Sequence, residues 1–402
     1  MSFSRRVSTK LPELSTFDAL QRIAIFTEKL YPQRITWDRN TWRASKNTSK
    51  LQLIPWYLLS LLVAVQGCYF LYLICNEIVA FRKDPDITLV SGAVLMLSAC
   101  VELLATSVVI TFICKTNELV FVLSNVKQIK RPALSDALRE AGGARRFNLV
   151  GLFLNGCIPI VILIPLATCT MPFLLENVDP TYFIFRNVKI LSAPWILVFR
   201  IISIFSPLLH SSVILVSGVI ILTNVLIITI SAITSMINDK KTKKLGRIKV
   251  FQKIQNMVQF LQYISKYRQI QLVICVMNDV CYFVFPLVLL LPLIAVVGTG
   301  YILVKLTRFI PFPIIFVSAV FGVCCIAGLH MIMPLLAEIT TRSQEFVRHW
   351  ELRGVTDYRV KSLKSCGPIR VAMGPFFYVN KWTRSTFLSL MVYYTVSVII
   401  LV

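Results

Sequence analysis

The sequence predicts an all-α polytopic membrane protein with seven transmembrane helices, a cytoplasmic N-terminus, an extracellular C-terminus and long intracellular helix extensions. Three observations predict it. Seven stretches, roughly 51–80, 88–114, 147–175, 201–233, 270–298, 310–338 and 385–402, are almost continuously apolar. Each approaches or exceeds the ~20 residues that cross a ~30 Å hydrocarbon core. Hydrophobic residues make up 56% of the 402, above the ~45–50% of a soluble domain. Finally, the net charge of +23 is unevenly placed: compartments reached by alternate crossings hold 35 Lys and Arg against 7. The basic side stays in the cytoplasm. That fixes the N-terminus inside, and an odd number of crossings leaves the C-terminus outside.

Residues 1–50 form a cytoplasmic segment with fourteen charged side chains and no apolar core of the kind a cleavable signal peptide needs. Leu20, Ile23, Ile25, Phe26 and Leu30 recur at helical spacing, which predicts an amphipathic helix lying on the inner leaflet, ended by Pro32. Trp56 sits where span one meets the inner interface. Residues 82–86 are a turn. The loop from Lys115 to Arg146 is long and basic, and Gly142-Gly143 breaks its helix-like first part. Tyr182, Phe183, Phe185 and Trp195 give the second outer loop enough aromatic surface to fold back over the spans. Loop four opens with Lys240, Lys241, Lys243, Lys244 and Arg247. From Arg247 to Phe285 there is neither Gly nor Pro, so one helix of about 58 Å is predicted, with span five running about 20 residues into the cytoplasm. Span six continues similarly through Glu338, Gln344, Phe346 and Trp350 to Gly354. Together these predict a bundled cytoplasmic layer. The chain thus divides into 1–50, spans one to six over 51–338, a cytoplasmic anchor segment over 339–384 and a final helix over 385–402.

Composition and motifs exclude several classes. The basic residues flank spans, so orientation and anionic lipid explain them, and no nucleic-acid partner is expected. The three histidines lack metal spacing, no catalytic or phosphate-binding motif occurs, and neither enzyme activity, metal nor cofactor is expected. Eleven cysteines avoid the predicted outer loops, so no disulfide framework is expected. A G-protein-coupled receptor would reverse the orientation and leave the basic residues on the wrong side.

Intramembrane ionisable groups are functional candidates by default: Glu102 in span two, His210 in the outer third of span four, Asp279 in span five and His330 low in span six. A candidate pocket for a small apolar ligand lies in the outer halves of the spans. Its residues are Met171, Phe173, Phe205, Phe283, Phe285, Phe312 and Phe316, with Glu102 and His210 as polar members. The last span carries Ser385, Thr386, Ser389, Tyr393, Tyr394, Thr395 and Ser397. Such hydroxyls suit either interhelical hydrogen bonds or a wet, narrow pore.

Pro368-Ile369-Arg370-Val371, then Gly374-Pro375-Phe376-Phe377 and Val379, resembles the stretch before the last helix in the arthropod gustatory/odorant chemoreceptor superfamily. That family closes on Thr-Tyr, five apolar residues, Gln and Phe. Tyr393-Tyr394, residues 395–399 and Ile400-Leu401 fall on those positions, with Tyr393 for the Thr, Ile400 for the Gln and Ser397 interrupting the run. The resemblance implies a subunit of a tetrameric ligand-gated cation channel in the plasma membrane. It implies a last helix lining a shared pore through Tyr393, Tyr394, Ser397, Ile400 and Leu401, and a cytoplasmic layer joining identical or related subunits. Two alternatives stand beside it: a secondary transporter coupling ions through Glu102 and Asp279, and a non-conducting accessory subunit of a heteromer. Terminal tagging checks the orientation: a tag after Val402 is expected to be reached by antibody on intact cells, one before Met1 only after permeabilisation, and Asn47 is expected to stay unglycosylated.

Overall fold

The computed structural model describes residues 15–80, 84–140, 149–174, 178–188, 190, 192–237, 249–308, 310, 312–352 and 357–401. Gly142-Gly143 and the Lys240–Arg247 run lie outside the described residues. The elements are α1 (Thr16–Leu30), a hairpin of β1 (Ile35–Trp37) and β2 (Ala44–Lys46), α2 (Ile54–Val79), α3 (Leu89–Cys114), α4 (Thr116–Glu140), α5 (Leu149–Thr168), α6 (Met171–Leu174) and α7 (Tyr182–Phe185). They continue with α8 (Ala193–Ile237), α9 (Lys249–Val280), α10 (Val284–Lys305), α11 (Phe312–Glu351), α12 (Asp357–Lys364), a second hairpin of β3 (Ala372–Met373) and β4 (Phe377–Tyr378), and α13 (Thr383–Leu401). Among the described residues, seven helical stretches are long and apolar enough to cross a membrane: α2, α3, α5 with α6, α8, α10, α11 and α13. This is a multi-pass membrane protein. Helices are the form that spans hydrocarbon because they satisfy their own backbone polar groups.

The N-terminal helix is not laid on a leaflet as its amphipathic pattern suggested. Ser15 caps α1 in a reciprocal box with Asp18, and the helix ends at Leu30 before Pro32. Its Ala19, Leu20 and Ile23 pack between α5 and α8, against Leu154, Val161, Val213 and Ile220. Two buried amides pin its start: Asn224 donates to the Thr16 carbonyl at 2.9 Å and Asn155 to the Ser15 carbonyl at 3.4 Å. Ile25 and Leu30 face outward. An apolar stripe fits a helical groove as well as it fits lipid, and here the buried asparagines select the groove.

Span five also differs from its predicted bounds. The helix does not run unbroken from the predicted cytoplasmic loop into the span. α9 stops at Val280, and α10 starts at Val284. Pro286 supplies the reason: it has no N–H for the Tyr282 carbonyl, and its ring crowds that carbonyl, four residues back. The break is filled from outside. Gly374, at φ +57° in the turn between β3 and β4, approaches so closely that a Cβ there would meet the Tyr282 carbonyl oxygen at 2.8 Å. Asp279 therefore lies before the span. It is exposed and pairs at 2.6 Å with Lys115, just past the end of α3, and that carboxylate raises the Lys115 ammonium above its ordinary pKa. His330 is exposed on α11.

A packed layer lies at the ends of spans five and six. It is built from α9, the second half of α11 and residues 363–373. Tyr267 is fully buried and stacks on Phe346 with ring centroids 4.7 Å apart. Its hydroxyl lies 2.6 Å from the Ser343 hydroxyl and donates to the Gly367 carbonyl at 3.0 Å. The Ile369 amide donates to Ser343 at 2.6 Å. Asn278 holds the next turn of chain, donating to the Arg370 carbonyl at 3.0 Å and accepting from the Ala372 amide at 3.2 Å. Burial pushes the Tyr267 phenol upward in pKa, and the hydrogen bond with Ser343 works against that shift. Tyr267→Ala is expected to cost about 3–5 kcal/mol and to abolish monodisperse protein in detergent. Tyr267→Phe is expected to cost about 1–2 kcal/mol, read as a lowered melting temperature.

Candidate functional site

The last helix is the least buried element of the bundle. Among its described residues Met391 alone is buried. One face docks: Phe387 and Leu388 pack on the main core, Thr395 meets α10, and Val398 joins an outer apolar cluster. At 100° per residue the opposite face carries Thr386, Ser389, Tyr393, Ser397 and Ile400, spaced three or four apart as one helical stripe. Tyr393 is 65% exposed and Ile400 76%. The Ser397 hydroxyl donates to the Tyr393 carbonyl at 2.8 Å. Tyr394 and Leu401 sit on one flank, also exposed. A stripe of hydroxyls with an apolar end, left largely exposed by the other described elements, suits a surface shared with another copy.

Thr395 seats the docked face. Its hydroxyl donates to the Met391 carbonyl at 2.7 Å, which fixes the rotamer, and its methyl points at Gly300. A Cβ on Gly300 would lie 2.5 Å from that methyl. A β-branched side chain has little freedom to retreat, so the absence of a side chain at Gly300 sets how close α13 comes to α10.

Of the predicted pocket residues, Met171 is in the outer cluster. It packs there with Val94, Tyr301, Ile302, Leu306, Ile310 and Ile314, and Val398 of α13 leans on the same group. Phe173, Phe312 and Phe316 lie near that end but point outward; Phe312 and Phe316 stack on each other 6.3 Å apart. Phe205 is half-buried on α8. Phe283 and Phe285 flank the start of α10, at the other end from Leu306. This corrects their assignment to the outer half of span five: Phe283 is 77% exposed, and Phe285 is buried in the main core. His210 is fully buried, but against the N-terminal segment rather than in the outer third of its span. Nδ1 lies 2.7 Å from the Tyr31 hydroxyl and Nε2 2.9 Å from that of Ser60, with Trp56 edge-on. It ties α1, α2 and α8 together. Glu102 is 4% exposed, packs over Gly67, and its Oε2 has no hydrogen-bond partner.

The cover of the outer end was missed in detail. Phe183 folds back as expected, onto Phe70, Leu73, Leu95 and Ala99, and its carbonyl accepts from Tyr69 at 3.0 Å. What locks it is an ion pair between Asp179, whose side chain is fully buried, and Arg200 at the start of span four. Arg186 adds bonds to Asp84 at 2.7 Å and Asp86 at 3.2 Å. The signal in the sequence was Asp179 inside an aromatic loop, with Arg200 at the start of span four.

By sequence, no protein-family model and no curated protein matches the chain. By structure, it is similar to the insect olfactory receptor OR5 from Machilis hrabei in complex with eugenol. The TM-score is 0.69 at 12% identity, over 96% of this chain and 99% of that one. It is similar to the same receptor described without that ligand at a TM-score of 0.63 and 12% identity, over 94% and 97%. The whole chain therefore has the fold of an insect olfactory receptor. Gly300→Val is expected to displace α13 and lower the melting temperature, and Thr395→Ala to restore part of the loss. A double-mutant cycle on the purified protein checks this; coupling on the order of 1 kcal/mol is expected for residues in contact.

Proposed function

We propose that the chain is an arthropod chemoreceptor: a subunit of a tetrameric, ligand-gated, non-selective cation channel of the plasma membrane, taking a small organic tastant or odorant. Its N-terminus is cytoplasmic, because that orientation keeps the 35 Lys and Arg inside. The observation that carries the reading is the exposed hydroxyl-bearing stripe of α13 on a protomer with an olfactory receptor's fold. A fourfold axis along that stripe would bring Tyr393, Ser397 and Ile400 to a common pore, with Tyr394 and Leu401 at its walls. The layer around Tyr267 would hold the subunits together.

Ligand would act at the outer end, where Met171 and Val398 share one cluster. Phe173, Phe312 and Phe316 are the ligand-contact candidates near that end, with Phe205 and Glu102, whose Oε2 lacks a hydrogen-bond partner, as further candidates along the spans; Phe283, Phe285 and His210 lie away from it. A ligand shifts the channel toward its open arrangement only as far as it binds that arrangement better. The transporter alternative is weakened because Asp279 lies outside the span, paired with Lys115.

The test is whole-cell recording from cells expressing the chain alone during application of a panel of small organics, eugenol among them. A cation current evoked by at least one compound is expected. Ile400→Ala, which removes bulk at the exposed end of the stripe, is expected to raise current without ligand severalfold, and Ile400→Gln to change relative permeabilities. Uptake without current supports the transporter; silence alone with current on co-expression of a second receptor supports the accessory subunit.

A further inference from the structure

Where the second half of α11 meets the entry to α13 there is a recess of about 380 Å³, within the ~300–1,000 Å³ range of small-ligand sites. Its lining changes character along its length. Met333, Pro334 and Ala337 give an apolar wall at the end of the uncharged run of α11. Glu338 is the first carboxylate on that helix, and from there the wall is charged. Arg342 is consumed locally, bonded to Glu338 at 3.1 Å and Glu345 at 2.9 Å. Across the recess, Lys381 and Arg384 are exposed and have no carboxylate partner among the described residues. Trp382 between them is 78% exposed, and Phe376 beside the β3–β4 turn is 72% exposed. Amphipathic indole rings with adjacent cations mark a membrane–water boundary.

We propose that this recess binds an anionic phospholipid, its phosphate on Lys381 and Arg384 and its glycerol and upper acyl chain along Met333, Pro334 and Ala337. Charge complementarity favours an anion, since Arg342, Lys381 and Arg384 face Glu338 and Glu345 for a net charge of +1, and both acids are turned to Arg342 rather than to Lys381 or Arg384. The apolar wall and exposed Trp382 select a lipid over a phosphate from solution. The cytoplasmic leaflet holds such lipids, and the proposed orientation puts the recess there. Binding itself depends on the protein being in a bilayer and not on conduction, so it stands or falls apart from the channel reading.

The test uses full-length protein in nanodiscs containing equal phosphatidylserine and phosphatidylcholine, with lipids retained per chain counted by native mass spectrometry after extraction. Preferential retention of phosphatidylserine is expected. The preference is expected to fall roughly fivefold for Lys381→Ala or Arg384→Ala and on the order of 25-fold for the pair, while Lys381→Arg keeps it. A photoactivatable phosphatidylserine is expected to label the peptides around 333–345 and 380–384 of the unaltered protein, which carries the test if the double variant does not fold. The proposal is overturned by equal retention of the two lipids, or by an unchanged preference in a folded double variant. It is also overturned by labelling elsewhere, by crosslinks from the recess to a second copy of the chain, or by displacement with glycerol phosphate at equal concentration.

Discussion

The position of the last helix depends on a hydroxyl pair in the packed layer at its entry. Within hydrocarbon, apolar burial does not drive helices together, because lipid tails are as apolar as leucine. α13 has one buried residue, so lateral packing alone does not hold it. It is held instead at its entry. Tyr267 and Ser343 join α9 to α11, and the same Ser343 oxygen receives the Ile369 amide. Three residues further on, Asn278 grips the strand that leads to β3. Removing Ser343 would take the partner from the Ile369 amide and leave the Tyr267 phenol with the Gly367 carbonyl, at a point where three segments are tied by a single oxygen. Gly300 then sets the lateral distance. Between them these two contacts place every residue of the exposed stripe.

The polar groups buried among the spans divide by what they do. Asn155, Asn224 and His210 each reach an element outside their own helix, and all three reach the N-terminal segment or its neighbour. They insert α1 into the bundle, and that insertion fixes the start of α2 through Trp56 and Ser60. Asp179 and Arg200 perform the corresponding task at the opposite end, closing the loop over α2 and α3. A buried ion pair costs desolvation and contributes most where its loss would strand a charge. It therefore specifies the fold of a loop better than it stabilises it. Glu102 belongs to neither group. An acid in the middle of a span with an unpartnered oxygen is costly to keep, which makes it the buried residue whose presence packing explains least.

The spans were legible because twenty apolar residues in a row admit few readings, and the basic loops supplied an orientation. Three things were not legible, each for a stated reason. The amphipathic stripe of α1 reads the same whether it faces lipid or a groove; the asparagines that decide the matter are 140 and 208 residues away. The span-five break is caused by Pro286, one residue beyond the uninterrupted run, and a proline acts on the turn before it. Taking the run to end at Phe285 overlooked that reach and placed Asp279, Phe283 and Phe285 too deep. The aromatic pocket set failed to converge because hydropathy carries no inside–outside signal in a membrane protein. Phe312 and Phe285 are equally apolar, yet one is 75% exposed and the other 3%.

Signal transfer in the proposed channel follows from which contacts are shared. The outer cluster holds Met171 and Val398 in one apolar group, and one turn below, Thr395 rests in the Gly300 notch. A change in packing around Met171 therefore reaches α13 directly, without passing through the cytoplasmic layer. That layer has the opposite character: its stacked rings and multiply bonded hydroxyls oppose movement. The last helix is thus anchored at the end where it enters and lightly held beyond Thr395, where Ile400 and Leu401 are exposed. In the proposed channel, a tilt of the helix about that anchor would displace those two apolar residues most. A constriction there, where displacement per unit of packing energy is greatest, is where a gate of this geometry would work.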